Sequence, residues 1–421
     1  MQDIFEDLKF RGLIYQVTNE KGLREKLQKE KIVLYCGFDA TAPSFQLGNL
    51  LPILTLRRFQ IFGHYSIALI GGGTGLIGDP SGKTKERILN PLEKIKEWKE
   101  RLKKQLEKFL DFETKENPAK ILDNFEWLSK IDLISFLRDY GKHLQVAEMI
   151  SKESVKNRIS TTGISFCEFS YMILQAIDFL KLYEMENCEL QIGGSDQWGN
   201  ILCGIDLIRK IKGAEVFGLT LPLVLTKSGK KLGKTERGTI FLDKNLTPVY
   251  QFYQYLINTD DRDVIQFLKY FTFLSKEEIE EIEKETKEKP EKRGAQRVLA
   301  KELTKLVHGQ DELKRVERIS ELLFYGKIRD LKEEEIKEAL FDVPTKKIAL
   351  EKKISILDLL KEVEVAKSKT EAKRLIQQKG IEVNEELVED KERKFSRKDA
   401  LYNKYFVIKK GKKNYFLVEL T

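Results

Sequence analysis

Short apolar runs alternate with amphipathic stretches over roughly the first two hundred residues, the order expected of strands and helices in a parallel α/β sheet. Ile32-Val33-Leu34-Tyr35-Cys36 reads as a buried strand stopped by Gly37, with a helix following from about Leu47 to Phe62. Ser66-Ile67-Ala68-Leu69-Ile70 is the next strand, closed by Gly71-Gly72-Gly73. Asn90 as cap and Pro91 in the first turn predict a helix start. Beyond it, Ile95, Trp98, Leu102, Leu106 and Phe109 recur on one face. Residues 113–165 read as a mainly helical insertion between two halves of the sheet. Glu189 to Ile192 and Leu221 to Leu225 are later strands.

From Thr247-Pro248 the pattern turns helical, and Ser275-Lys276-Glu277-Glu278 carries a reciprocal helix cap. The reading is therefore a Rossmann-like parallel-sheet α/β domain over 1–246, an all-helical domain over 247–325, and a charged, mobile linker over 326–353. A small α+β domain over 354–421 follows, with two helices, then strands, and Lys409-Lys410-Gly411-Lys412-Lys413 as a basic turn.

Composition narrows the classes. The 421 residues are 41% hydrophobic and 34% charged, with a net charge of +8, which suits a protein with real cores and long exposed helices. Residues 354–421 hold 16 Lys/Arg against 12 Asp/Glu, a net +4, so about half the excess lies in the last sixth of the chain, compatible with a polyanionic partner. No apolar run reaches eighteen residues, so no membrane span is expected. The acidic Met1-Gln2-Asp3-Ile4-Phe5-Glu6 start lacks the layout of a signal peptide. Cys36, Cys167, Cys188 and Cys203 have no C-x-x-C spacing, and with three histidines they predict reduced thiols in a cytoplasmic protein and no metal site.

Five segments could carry chemistry. Gly37 to Leu50 is strand, loop and helix start, where free N–H groups suit a phosphate and Gln46 and Asn49 can donate hydrogen bonds. Gly71 to Thr84 holds more glycines than a plain turn needs, pointing to close approach of a ligand. Its Gly82-Lys83-Thr84 looks like the tail of a Walker A loop, but the first glycine of that motif is replaced by Ile77. Tyr171, Gln175 and Asp178 share a helix face among Phe169, Met172, Leu174 and Phe179, a polar stripe that needs partners. Gln191 to Asn200 repeats the strand–glycine–helix pattern, and ligands of such sheets bind beyond the strands' carboxyl ends. Lys230-Lys231-Leu232-Gly233-Lys234-Thr235 is either a solvated basic hairpin or a set of cations for a phosphoryl group.

Taken together, these segments resemble the class I aminoacyl-tRNA synthetases, and within them the bacterial tyrosine enzymes. Tyr35-Cys36-Gly37-Phe38-Asp39, Gly75 to Gly82 and Gln191 to Asn200 carry the resemblance in the family's order. Lys231-Leu232-Gly233-Lys234-Thr235 resembles its KMSKS loop, while Gln46-Leu47-Gly48-Asn49 stands where the family has HIGH, without either histidine. The resemblance implies activation of L-tyrosine by ATP, with Mg²⁺ accompanying the nucleotide, and transfer to tRNA(Tyr) by a cytoplasmic homodimer. It implies that Tyr35 and Asp178 bind the phenol, and that Asp79, Tyr171 and Gln175 bind the ammonium group. Asp39, Asp196 and Gln197 would line the ribose and carboxylate region, with Cys36 near the ribose and Gly37, Gly48 and Gly194 against the adenylate. Gln46, Asn49, Lys83, Arg87, Lys231, Lys234 and Thr235 would act on the phosphates. The final segment, with Ser368 to Ile376 and Gly380 to Asn384, resembles an RNA-binding fold shared with a small-subunit ribosomal protein. In this family it contacts tRNA together with the preceding helical domain.

Two other readings compete. The tryptophan enzyme shares the sheet, but the Tyr35 and Asp178 pair favours a phenol. Gln46 is the only feature that favours a non-catalytic RNA-binding paralogue, and the retained Lys231, Lys234, Asp79 and Asp178 speak against it.

Overall fold

Strands buried on both faces need nearly continuous apolar runs, and the strands near the middle of the sheet are built that way. The computed structural model describes residues 3–81, 89–229, 231–235, 238–325, 327–350, 352–411 and 414–421. It divides into two units, residues 1–247 with 256–307, and residues 248–255 with 308–421.

In the first unit six strands run β1 (Gln16–Val17), β2 (Val33–Asp39), β3 (Tyr65–Gly71), β4 (Lys120–Asp123), β5 (Cys188–Gly194) and β6 (Phe217–Leu221), in the sheet order β1-β6-β5-β2-β3-β4. All neighbours are parallel except the β1–β6 pair. The chain builds outward from β2 through β3 to β4, then returns to place β5 on β2's other side. That reversal opens a crevice at the carboxyl ends of β2 and β5. The helix Phe166–Glu186 packs on β5 and on the helix Trp198–Lys212, while Leu50–Ile61 packs on β2 and β3. Tyr35, Ile67, Ala176, Phe179 and Leu207 join one buried core.

Several sequence expectations need correction. β2 does not stop at Gly37: its ladder with β3 continues to Asp39, because a glycine in mid-strand leaves the backbone pairing intact. Residues 113–165 are not wholly an insertion, since Lys120–Asp123 joins the main sheet beside β3. The later strand is Phe217–Leu221 rather than Leu221–Leu225, as Pro222 lacks the N–H that would extend the ladder. Asn90 makes no cap; Pro91 occupies that position and the helix begins at Leu92. The reciprocal cap at Ser275 and Glu278 forms as expected, at 2.7 and 3.2 Å.

The second unit corrects the linker. Within 326–353, Glu333–Ala339 is a helix and Thr345–Ile348 is a strand parallel to Asn414–Leu420. Ile328, Leu331, Ile336, Leu340 and Ile348 are buried there, and the surrounding charge masked their pattern. That strand closes a five-stranded sheet whose core includes Leu359, Ile381, Phe406 and Val418, under the helices Ile356–Glu362 and Lys369–Gln377. Lys409 and Lys410 belong to the strand Tyr405–Lys410, and Lys412 and Lys413 lie outside the described residues.

A buried arginine ties the first helix to the helical segment of the first unit. Arg11, 4% exposed, donates to the carbonyls of Lys269, Thr272 and Leu274 at 3.1, 3.1 and 2.7 Å and pairs with Asp7 at 2.9 Å. Arg11→Met strands those acceptors, and losing one partner of a buried pair costs about 3–5 kcal/mol. Urea denaturation is expected to show that loss in the midpoint of the first unit; an unchanged midpoint would mean water replaces the guanidinium.

Candidate active site

The crevice at the carboxyl ends of β2 and β5 holds a cavity of about 450 Å³. The sequence analysis placed Tyr35, Cys36, Gly37, Asp39, Gln46, Gly48, Asn49, Asp79, Tyr171, Gln175, Asp178, Gly194, Asp196, Gln197, Lys231 and Lys234 at the site, and all of them line this cavity. Lys83, Arg87 and Lys230 lie outside the described residues, as does the side chain of Thr235.

At the deep end a hydrogen-bonded chain fixes the acidic groups. Tyr171 Oη and Thr74 Oγ1 donate to the two oxygens of Asp39, at 2.8 and 2.6 Å. Asn124 Nδ2 donates to Thr74 Oγ1 at 2.9 Å and to Asp178 Oδ2 at 2.8 Å, and Trp127 Nε1 donates to Asp178 Oδ1 at 2.8 Å. Asn124 Oδ1 in turn accepts from the Gly73 amide at 2.8 Å. Asp178 is fully enclosed, and burial pushes its carboxyl up to about 8 against the opposing pull of Asn124 and Trp127. The nearby charges of Asp39 and Asp123 push it the same way. Tyr35 packs its ring on Phe179 at 5.4 Å, and its buried hydroxyl has no hydrogen-bond partner among the described residues. Burial, followed by the charge of Asp178, holds that phenol well above its usual range. Cys36 is likewise pushed up by burial, to about 12, so it is a thiol at neutral pH.

A second cluster stands beside the first. Gln197 Nε2 donates to Asp79 at 2.6 Å, and the Ser81 amide donates to its other oxygen at 2.9 Å. Asn200 Nδ2 lies 3.0 Å from Gln175 Oε1 and 3.2 Å from Gln197 Oε1. Asn200 and Gln197 thus join Gln175 to Asp79, while Tyr171 hydrogen-bonds Asp39.

The glycine run has a different use from the expected approach of a ligand. A Cβ at Gly71 would stand 2.0 Å from Asp39 Oδ1, and one at Gly72 would stand 2.2 Å from Asp123 Oδ1. The protein's own carboxylates occupy that room. Gly37 differs, since a Cβ there would meet nothing among the described residues within 4 Å, and it lines the cavity.

The cavity mouth is basic. Lys231 and Lys234 are exposed on either side of Leu232, which is 7% exposed and anchors the loop through its amide to Val224 O at 2.9 Å. Lys234 Nζ donates to Thr239 Oγ1 at 2.8 Å across a short hairpin. Asn49 turns its side-chain oxygen inward to accept from the Gln46 amide at 2.9 Å. Buried acids at one end and lysines at the other suit a ligand that is cationic and phenolic at one end and polyanionic at the other.

Thr74, Asn124, Trp127 and Asn200 were not anticipated as site residues. Asn124 follows β4, and reading Ile121-Leu122 as a strand would have put Asp123-Asn124 at a carboxyl end, where such sheets bind ligands.

The family model "tRNA synthetases class I (W and Y)" matches residues 27–325, and that of the "Tyrosine--tRNA ligase SYY-like C-terminal domain" matches 335–418. The chain belongs to the class I tRNA synthetases. It is 52% identical to tyrosine--tRNA ligase 1 of Bacillus subtilis over 420 residues, 99% of each chain, and 55% identical to the tyrosine--tRNA ligase of Bacillus caldotenax over 417 residues, also 99% of each. A C-terminally truncated mitochondrial tyrosyl-tRNA synthetase of Aspergillus nidulans superposes with a TM-score of 0.70 at 31% identity, over 77% of this chain and 95% of that one. The expected α/β synthetase fold is therefore the one observed.

In an unfolded synthetase chain the Asp178 carboxyl would lose its proton near pH ~4, whereas in the folded protein it does so near about 8. Between those values the folded state holds a proton that the unfolded state lacks. Its contribution to stability is full below about pH 4 and is lost as pH rises to about 8. Asp178→Asn cannot titrate. Urea midpoints are expected to show wild type losing stability relative to this variant from about pH 5 to about pH 8; a constant difference would mean a carboxylate throughout.

Proposed function

We infer that this synthetase is a tyrosine–tRNA ligase, a reading carried by one observation: buried Asp178 and Tyr35 close one end of a cavity whose other end is lined by Lys231 and Lys234. In the first step a carboxylate oxygen of tyrosine attacks the α-phosphorus of ATP. The bond to the β-phosphate oxygen breaks, and pyrophosphate leaves. A terminal hydroxyl of tRNA then attacks the carbonyl carbon, and AMP departs. Neither step needs a protein nucleophile; alignment and charge stabilisation suffice.

The phenol sits between Tyr35 and Asp178, so a substrate lacking the hydroxyl leaves buried polar groups unmet. Asp79, Tyr171 and Gln175 take the ammonium group, with Asp39, Asp196, Gln197 and Cys36 toward the ribose and Gly37, Gly48 and Gly194 against the adenylate. Gln46, Asn49, Lys83, Arg87, Lys231, Lys234 and Thr235 serve the phosphates. Mg²⁺ accompanies ATP through its phosphate oxygens. The helical segment 247–325 and the domain 354–421 serve tRNA(Tyr).

A homodimer fits a cluster of exposed apolar side chains between residues 133 and 166, led by Phe166 at 75%, Leu133 at 69% and Ile134 at 67% exposure, since such patches mark interaction surfaces. Among the described residues no helix is long and apolar enough to cross a membrane, in keeping with a cytoplasmic site of action.

Tyrosine-dependent exchange of pyrophosphate into ATP tests the reading. Asp178→Ala is expected to lower kcat/KM for tyrosine roughly 10–100-fold, as for buried hydrogen-bonding groups left unsatisfied, and to narrow the preference over phenylalanine. Lys234→Ala is expected to slow activation about 10²–10³-fold. Exchange with tryptophan but not tyrosine would make this the tryptophan enzyme, and none with either would make it a non-catalytic paralogue.

A further inference from the structure

Gln105, on the helix Leu92–Leu106, does not line the cavity, yet it is 9% exposed and its amide oxygen is fully used. That oxygen accepts from the Phe45 amide at 3.1 Å and lies 3.2 Å from Ser44 Oγ. Ser44 Oγ accepts from the Asp243 amide at 3.1 Å, and Phe45 O accepts from the Leu242 amide at 2.9 Å. Two residues on, the Leu47 amide donates to Ile240 O at 3.0 Å, and Gln46 bridges to Phe241. The Ile240 amide completes the link by donating to Gly233 O at 2.8 Å. The turn carrying Gln46 and Asn49 and the loop carrying Lys231 and Lys234 are thereby laced through residues 240–243. At their closest, a Cβ on Gly233 would stand 3.3 Å from Leu47 Cβ.

We propose that Gln105 is a positioning residue for tyrosine activation, its single side-chain oxygen fixing the register in which the two phosphate-binding segments are held together. The inference rests on the phosphate role given above to Lys234. Both segments must meet one triphosphate, so a shift of either moves its donors off the charge that develops during transfer. The deep tyrosine pocket is fastened by the separate chain through Asn124 and does not depend on this lacing. Loss of the Gln105 oxygen therefore affects catalysis and not tyrosine binding, which a general loss of stability would not produce.

The test uses the full chain, with tyrosine binding by equilibrium dialysis beside the pre-steady-state rate of tyrosyl-adenylate formation. Gln105→Met and Ser44→Ala are expected to lower that rate about 10–100-fold, the order seen for ångström-scale misplacement, with tyrosine affinity within about twofold of wild type. Gln105→Glu, which keeps the acceptor, is expected to recover most of the rate. Gln105→Met combined with Lys234→Ala is expected to be no slower than Lys234→Ala alone by more than about threefold, because both act through the same loop. An unchanged rate in Gln105→Met and Ser44→Ala, while Lys234→Ala is slow, overturns the positioning role alone. Parallel losses of rate and tyrosine affinity also overturn it. A normal rate in Lys234→Ala overturns the phosphate role of the loop, and this inference with it.

Discussion

Removing a carboxyl group from water costs free energy unless hydrogen bonds replace those it made there, and Asp178 is 2% exposed. Its two oxygens are met by Asn124 from the end of β4 and by Trp127 from the turn that follows. The edge strand, the long helix and the glycine run must all be in register for those donors to arrive. The same asparagine continues the chain to Thr74 and so to Asp39 and Tyr171. The deep end of the pocket is thus a connected polar chain inside an apolar core, and each member constrains the next.

That connectivity separates the molecule's two chemical tasks. The proposed recognition of the ring falls where groups are hydrogen-bonded and buried. The end proposed for the phosphates is made of exposed lysines beside a short hairpin, fastened by backbone pairing to the turn after β2. Rigid selection and solvent-facing charge stabilisation are placed at opposite ends of one cavity, on elements with separate fastenings.

Much of this was legible in the sequence because apolar periodicity and turn chemistry are local. The β2 and β3 runs, the stripe of Tyr171, Gln175 and Asp178, and the cap at Ser275 all follow from spacings of a few residues. What was missed depends on partners far along the chain. Lys120–Asp123 is too short to declare itself a strand until β3 is beside it. Gly71 and Gly72 signalled a close approach correctly, but nothing nearby told that Asp39 and Asp123 would fill the space. The stretch 326–353 looked unstructured because its buried apolar residues are scattered among so much charge, and its strand needs Asn414–Leu420 to form. The site residues themselves came from glycine turns and from family resemblance, whereas the groups that hold them in place did not.

The polar chain also sets when the pocket can first exist during synthesis. Asp39 waits for Tyr171, 132 residues later, and Asp79 waits for Gln197, 118 residues later. A nascent chain that has exposed only β2, β3 and β4 carries acidic side chains at strand ends with their long-range donors still inside the ribosome. Contacts of such separation close slowly because the intervening loop must be ordered first. A growing chain therefore completes these hydrogen bonds only once Tyr171 and Gln197 have emerged.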